Sequence, residues 1–190
     1  MQESLTTYLT SFGTLSPDSI QLITDHFTPT RLDKNEFFLK ESETCKYLGF
    51  VESGLLMYYK ADNSGQEQVA DFAKENAWVS QYQSFVNKQP AEIFIKALEP
   101  CVLQTITYDK LTELYDKIPG FEKMSRQIVE TAFMDMIRKQ LEFQNLKAED
   151  RYNKMVELYP SLLQRVPQYY IASYLGIAAP SLSRIRKGKF

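Results

Sequence analysis

The sequence predicts an α+β protein: a β jelly roll or barrel preceded by short helices and followed by a long helix and a basic helical tail. Three observations predict it. Between Thr30 and Thr107 the apolar residues recur with a period of two, in short β-branched and aromatic runs separated by turn residues. On either side the period returns to three or four. Charge, finally, divides at Arg151. From there to Phe190 seven Lys or Arg (151, 154, 165, 184, 186, 187, 189) face one acid, Glu157, and of the chain's 22 basic and 24 acidic residues this leaves 15 and 23 before it. The body is therefore −8 and the tail +6 within a formal net charge of −2, the polarity expected if only the tail meets a polyanion.

Each element has its own signal. Leu5, Tyr8, Leu9 and Phe12 share one helical face. Ser16-Pro17-Asp18 then supplies an N-cap, a first-turn proline and an acid for a second helix carrying Ile20, Ile23 and Phe27, ended by Pro29. Strands are expected at Glu36–Lys40, Tyr47–Glu52, Leu55–Ala61, Glu67–Ala73, Ile93–Ala97 and Val102–Thr107. Ser53-Gly54 joins two of them tightly, and Asp62-Asn63-Ser64-Gly65 is a hairpin loop because Asn and Gly accept positive φ. Several short strands at this spacing suit a barrel or jelly roll better than an α/β sheet. Asp109 is the expected cap of a short helix through Tyr115, and Pro119-Gly120 breaks the chain again.

From Phe121 to about Leu146 there is neither Pro nor Gly, enough for one long helix. Met124, Ile128, Ala132 and Met136 form one apolar stripe, and Val129, Phe133, Ile137 and Leu141 form another. One stripe can pack on the barrel while the other needs a partner, for which a second copy of the helix is the simplest; the stripe of Met124, Ile128, Ala132 and Met136 is assigned to that dimer. A short helix at Glu149–Tyr159, a linking segment SLLQRV and Pro167 follow. The organisation is thus 1–118 for the helices and barrel, 119–147 for the dimerisation helix and 148–190 for a DNA-binding domain.

That last domain rests on QYYIASYLGIAAPSLSRIRK, Gln168 to Lys187. A helix-turn-helix needs a small residue where two short helices touch, a turn residue, and apolar residues that pin the pair. Ala172 and Gly176 fill the first two positions, and Ile171, Leu175, Ile177, Leu182 and Ile185 the rest. Gln168, Ser181, Ser183, Arg184, Arg186 and Lys187 are left outside as candidate DNA contacts, since Arg can bridge guanine O6 and N7 and Ser can reach phosphate. A plain helical hairpin with a solvated basic face is the competing reading.

Composition excludes other classes. At 190 residues and 44% apolar content the chain can bury a true core. Cys45 and Cys101 lack C-x-x-C spacing and neighbouring histidines, so they are expected to be reduced structural thiols and no metal is expected. A metal-dependent jelly-roll enzyme would need several histidines in the barrel, and the sole one, His26, lies outside it; no enzymatic activity is expected. MQESLTTYLTSFG carries no basic segment followed by an apolar run, and no apolar stretch is long enough to span a bilayer, so a cytoplasmic protein without membrane contact is expected.

The terminal stretch, FVESGLLMYY and the order helix, barrel, long helix, basic tail together resemble the catabolite activator (cyclic-AMP receptor) and fumarate–nitrate regulator (Crp/Fnr) superfamily, most closely short members found in Bacteroidetes. The resemblance implies a cyclic-nucleotide-binding-type β jelly roll, a long dimerisation helix and a C-terminal helix-turn-helix; helix-turn-helix proteins such as the catabolite activator set paired recognition helices in successive major grooves. It implies double-stranded DNA and a second copy as partners in transcription regulation, with RNA polymerase as a further candidate. Arg184 takes the place of the base-contacting arginine, with Ser181 and Ser183 near phosphate. Ala179 and Pro180 stand where many relatives carry a polar or acidic base reader. Three residues follow Lys187, so no β-wing is expected.

The same resemblance makes cyclic AMP an unexpected ligand. Relatives that bind it hold the ribose with Gly-Glu and the phosphate with an Arg shortly before Ala-Thr or Ala-Ser. Here Ala91 replaces that arginine, Ile93 and Phe94 replace Ala-Thr, and Gly-Glu is missing. A buried phosphate without a cation would cost several kcal/mol. Phe72, Trp78, Tyr82, Phe85 and Phe94 are the candidate lining for a less charged small-molecule effector, or simply core; Lys88 and Lys96 are the nearby cations. With His26 outside the barrel and no N-terminal cysteine cluster, haem or oxygen-sensing chemistry is not expected. A protein-interaction module of the same fold without DNA binding is the alternative function.

Overall fold

Pro29 does not end the second helix, and the reason introduces the first sheet. In the computed structural model, which describes residues 3–62 and 64–188, α1 (Glu3–Thr10) and α2 (Pro17–His26) open the chain. α2 begins as expected: Ser16 Oγ accepts the Ser19 N–H at 3.1 Å and Pro17 takes the first position. It stops at His26, and Pro29 sits instead in β1 (Thr28–Leu32), an edge strand where a missing N–H leaves no ladder bond unmade.

The other strands are β2 (Phe37–Leu39), β3 (Tyr47–Ser53), β4 (Leu56–Ala61), β5 (Glu67–Ala73), β6 (Trp78–Val79), β7 (Phe94–Ala97) and β8 (Cys101–Thr107). They pair antiparallel in two four-stranded sheets, β1-β8-β3-β6 (sheet I) and β2-β7-β4-β5 (sheet II). β1, β6 and the short α3 (Tyr82–Asn87) were not expected from the sequence. Gly54 turns β3 into β4 at φ 102°, where a Cβ would lie 2.7 Å from both Cys101 Cα and Pro100 O, so no other residue fits. In the β4–β5 loop the Asp62 carboxylate accepts the N–H groups of Ser64 and Gln66 at 2.9 and 3.0 Å; Asn63 lies outside the described residues.

The helical half continues with α4 (Tyr108–Lys117), α5 (Phe121–Asn145), α6 (Ala148–Leu158), α7 (Leu162–Arg165), α8 (Gln168–Tyr174) and α9 (Ala179–Arg186). The hydroxyl of Thr107, not Asp109, caps α4, and SLLQRV contains the short helix α7.

The buried side chains form two clusters. One fills the space between the sheets and extends through sheet I to α1, α2, α4 and the start of α5. The other lies on the outer face of sheet II, where Leu55, Met57, Tyr59 and Val69 meet Met155, Leu162, Val166, Ile171 and Leu175. β4 shows why its sequence is continuously apolar: Leu56 and Tyr58 join the first cluster while Met57 and Tyr59 join the second. Sheet II is thus covered on both faces, once by sheet I and once by the C-terminal helices. Among the described residues no helix is long and apolar enough to cross a membrane.

Candidate nucleic-acid interface and its mounting

The helix-turn-helix frame closes as the spacing requires. α8 ends in a Schellman turn: the Ile177 N–H reaches Ala172 O and the Gly176 N–H reaches Ser173 O, both at 3.0 Å, with Gly176 at φ 67°. Ala172, Leu175, Leu182 and Ile185 are buried where α8 and α9 meet. Pro180 falls in the first turn of α9, where no helical N–H is lost.

Outside this core, Gln168, Arg184, Arg186 and Lys187 are exposed, and Ser181 and Ser183 are half-buried. Arg184 Nη2 donates to Ser181 Oγ at 3.3 Å, so the arginine leans along its own helix. Ala179 is exposed beside Pro180, a face without hydrogen-bonding side chains. The hydroxyls and cations picked from the sequence therefore occur together on one module.

Its mounting was not legible from the sequence. Arg165, on α7, grips two carboxylates: Nη2 and Nη1 reach Glu75 at 2.7 and 3.1 Å, and Nη2 and Nε reach Glu99 at 2.6 and 3.2 Å. These hydrogen bonds to Glu99 and Glu75 hold the guanidinium pKa above its ordinary value. Partial burial works to raise the Glu75 pKa, but the bonds from Arg165 and from backbone N–H groups outweigh it and hold it below the usual range. A second set joins β5, β7 and α8: Lys96 Nζ lies 2.7 Å from Glu67 and 3.2 Å from the Tyr170 hydroxyl, which itself donates to Glu67. Ser173 Oγ accepts the Val69 N–H at 2.9 Å and donates to Glu67 O at 3.1 Å, satisfying the open edge of β5. On the far side Arg151 donates to Leu146 O at 3.0 Å, Phe143 O at 3.4 Å and Leu175 O at 2.9 Å, tying the carbonyl ends of α5 and α8 together.

The five candidate effector residues do not line one pocket; only Tyr82 and Phe85 meet. Phe72 packs on Tyr174 and Phe94 stacks on Tyr59 at 4.9 Å, both on the outer side of sheet II. Trp78 packs on Phe50 and Tyr8 beneath α1, Phe85 packs on Tyr108, and Tyr82 is half-exposed. Phe72, Trp78 and Phe94 lie on three different strands while Tyr82 and Phe85 neighbour each other on α3, with ring centroids 6.3 Å apart, and between the sheets lie residues such as Leu56, Ile95 and Leu103 that have no exposed surface. A void beside Phe72 and Tyr174 measures about 10 Å³, room for one water at most. Neither cation serves a cassette: Lys88 pairs with Asp109 at 3.4 Å and Lys96 points outward to Glu67. Ala91 is buried and spends its backbone N–H and carbonyl on Glu43 and Ser42.

The dimer stripe also needs correction. Met124 and Ile128 are buried against the chain's own core, leaving only Ala132 and Met136 of the expected set exposed. The exposed apolar surface of α5 is instead Val129, Phe133, Met134, Met136, Ile137 and Leu141. Both stripes are apolar, and Phe121 at the helix start is buried in the same core as Met124 and Ile128.

Cys45 and Cys101 are unpaired and buried, and burial pushes the Cys101 thiol up to about 11, well away from reactivity. His26 sits at the end of α2, its Nε2 3.6 Å from Glu113. Among the described residues no group of three or more His, Cys, Asp or Glu could hold a metal ion.

Residues 29–117 match the cyclic nucleotide-binding domain family. No curated protein sequence matches the chain. Solved structures do. The c-di-GMP responsive global regulator CLP of Xanthomonas campestris aligns with a TM-score of 0.68 at 16% identity, over 91% of each chain. FixK2 of Bradyrhizobium japonicum gives 0.68 at 15% identity, over 85% of this chain and 83% of that one. The catabolite activator protein of Thermus thermophilus gives 0.59 at 15% identity, over 95% and 85%. Within this chain, then, a segment similar to the cyclic nucleotide-binding domain lies inside a fold that the chain shares with these three solved structures.

Proposed function

We propose that this chain is a homodimeric, DNA-binding transcription regulator that pairs through the exposed stripe of α5 and reads DNA with α9. The observation that carries the reading is the exposed cationic face of Arg184, Arg186 and Lys187 on a fully packed helix-turn-helix, at the basic end of an otherwise acidic chain. The fold shared with CLP and FixK2 supports it. Phosphate contacts supply affinity and its salt dependence, and Arg184 supplies part of the sequence choice. Cyclic AMP is not its effector: Ala91 stands where the phosphate arginine would be, and the nearest lysines are engaged elsewhere.

Selection from a pool of randomised DNA duplexes, read at two salt concentrations, tests the reading. Retention that weakens steeply with salt and enriches a near-palindromic site is expected. On that site Arg184→Ala costs about 1–3 kcal/mol and relaxes one base position in each half-site. Absence of salt-sensitive retention refutes the DNA-reading function and favours a protein-interaction module.

A further inference from the structure

The recognition helix is not hung from a flexible linker. Resting on the DNA-reading function above, we propose that the docking of α7 and α8 on sheet II fixes the bearing of α9 without any ligand in the barrel, with Arg165, Glu67, Lys96, Tyr170 and Ser173 as its positioning residues.

An apolar contact and three sets of hydrogen bonds act at this joint. The apolar contact between the outer face of sheet II and the C-terminal helices holds the two surfaces together but is non-directional. Direction comes from hydrogen bonds. Ser173 bonds both the N–H of Val69 and the carbonyl of Glu67, so sliding α8 by one strand residue, about 3.3 Å, breaks both. Arg165 bridges Glu75, after β5, and Glu99, before β8, with four contacts of 2.6–3.2 Å. A planar fork satisfied on two carboxylates tolerates little rotation. Glu67 receives both Lys96 and Tyr170, so an acid of β5 fixes the first turn of α8.

From α8 the bearing passes to α9 through the Schellman turn and the buried Leu182 and Ile185, and it is tied to α5 by Arg151. Because α5 is the pairing element, fixing α8 against both sheet II and α5 fixes the separation of the two recognition helices in the dimer. Among the described residues, the side chains between the sheets, such as Leu56, Ile95 and Leu103, have no exposed surface for a ligand to meet. The bearing is thus a property of the folded chain.

The test uses the full-length dimer and the site selected above, with duplexes whose half-site spacing is changed by one or two base pairs. Wild type should lose about tenfold or more on respacing, whereas Arg165→Lys combined with Tyr170→Phe should lose less than about threefold, because phosphate contacts survive while the bearing does not. Hydrogen exchange at the Val69 amide and across α7 and α8 should rise in the same variant. Ser173→Ala, which removes no charge, provides the second variant should the first fail to fold, with the same two readouts. Unchanged spacing preference, or unchanged exchange, in a folded variant overturns the proposal. Wild type that binds no DNA overturns the DNA-reading function instead, and exchange at Val69 then decides whether the docked joint exists.

Discussion

If the chain pairs as proposed, replacing Phe133 by Asp should dissociate the dimer while leaving the subunit folded. Phe133 is 59% exposed in the isolated chain and sits mid-way along the apolar stripe of α5. With about 200 Å² for a phenylalanine side chain, roughly 120 Å² remains for a partner to cover. At about 25 cal/mol per Å² that is ~3 kcal/mol per subunit. A two-fold axis uses the same patch twice, so the loss is about 6 kcal/mol per dimer, or about 10⁴ in the dissociation constant. The carboxylates would also face each other across the axis, adding to the loss. Sedimentation equilibrium from nanomolar to tens of micromolar subunit reads the effect, with circular dichroism as the check on folding. Met124→Asp is the contrasting variant: Met124 is buried in the core, and the substitution should unfold the chain rather than dissociate it. A Phe133→Asp protein that sediments as the wild-type dimer, or a wild type that is monomeric throughout, would refute the assignment of this stripe.

Three further outcomes follow from single residues. Gln104 has no exposed surface and neither side-chain polar atom has a partner, so Gln104→Met should stabilise by about 1–2 kcal/mol and raise Tm by roughly 2–8 °C, whereas a loss of stability would show that the amide is satisfied. A Cβ on Gly176 would meet nothing within 4 Å, so Gly176→Ala should cost only its left-handed backbone, about 1 kcal/mol after the gain from a stiffer unfolded chain, and Gly176→Asn less. A cost above about 3 kcal/mol in urea unfolding would contradict an unobstructed turn. Arg151→Met keeps the stem but strips donors from three carbonyls, and should cost about 2–4 kcal/mol, a value below about 0.5 kcal/mol marking the contacts as incidental.

The helix-turn-helix was legible because each position answers a separate local demand: a small contact residue at Ala172, positive φ at Gly176, a tolerated first-turn proline at Pro180. The Glu67–Ala73 strand was likewise legible from alternation and its flanking turn. β1 was hidden because a proline reads as a helix stop unless the strand's edge position is known, and β6 because two residues carry no period. The choice between the two α5 stripes needed the rotational phase of the helix on the barrel, which periodicity leaves free. The joint was least legible of all. Glu67, Glu75, Lys96, Glu99 and Arg165 look like solvated surface charges in the sequence, and their partners lie 29 to 103 positions apart.

A sheet covered on both faces has a consequence for synthesis. The strands of sheet II are complete by Ala97, but the helices that cover their outer face are made later, after α4 and α5. Until those residues emerge, Met57, Tyr59, Val69 and Phe94 form an apolar surface beside an open β5 edge, the combination that invites association between nascent chains. Truncation before α7 should therefore yield an insoluble barrel rather than an independently folded domain, and the C-terminal helices also serve as the seal on the domain that carries them.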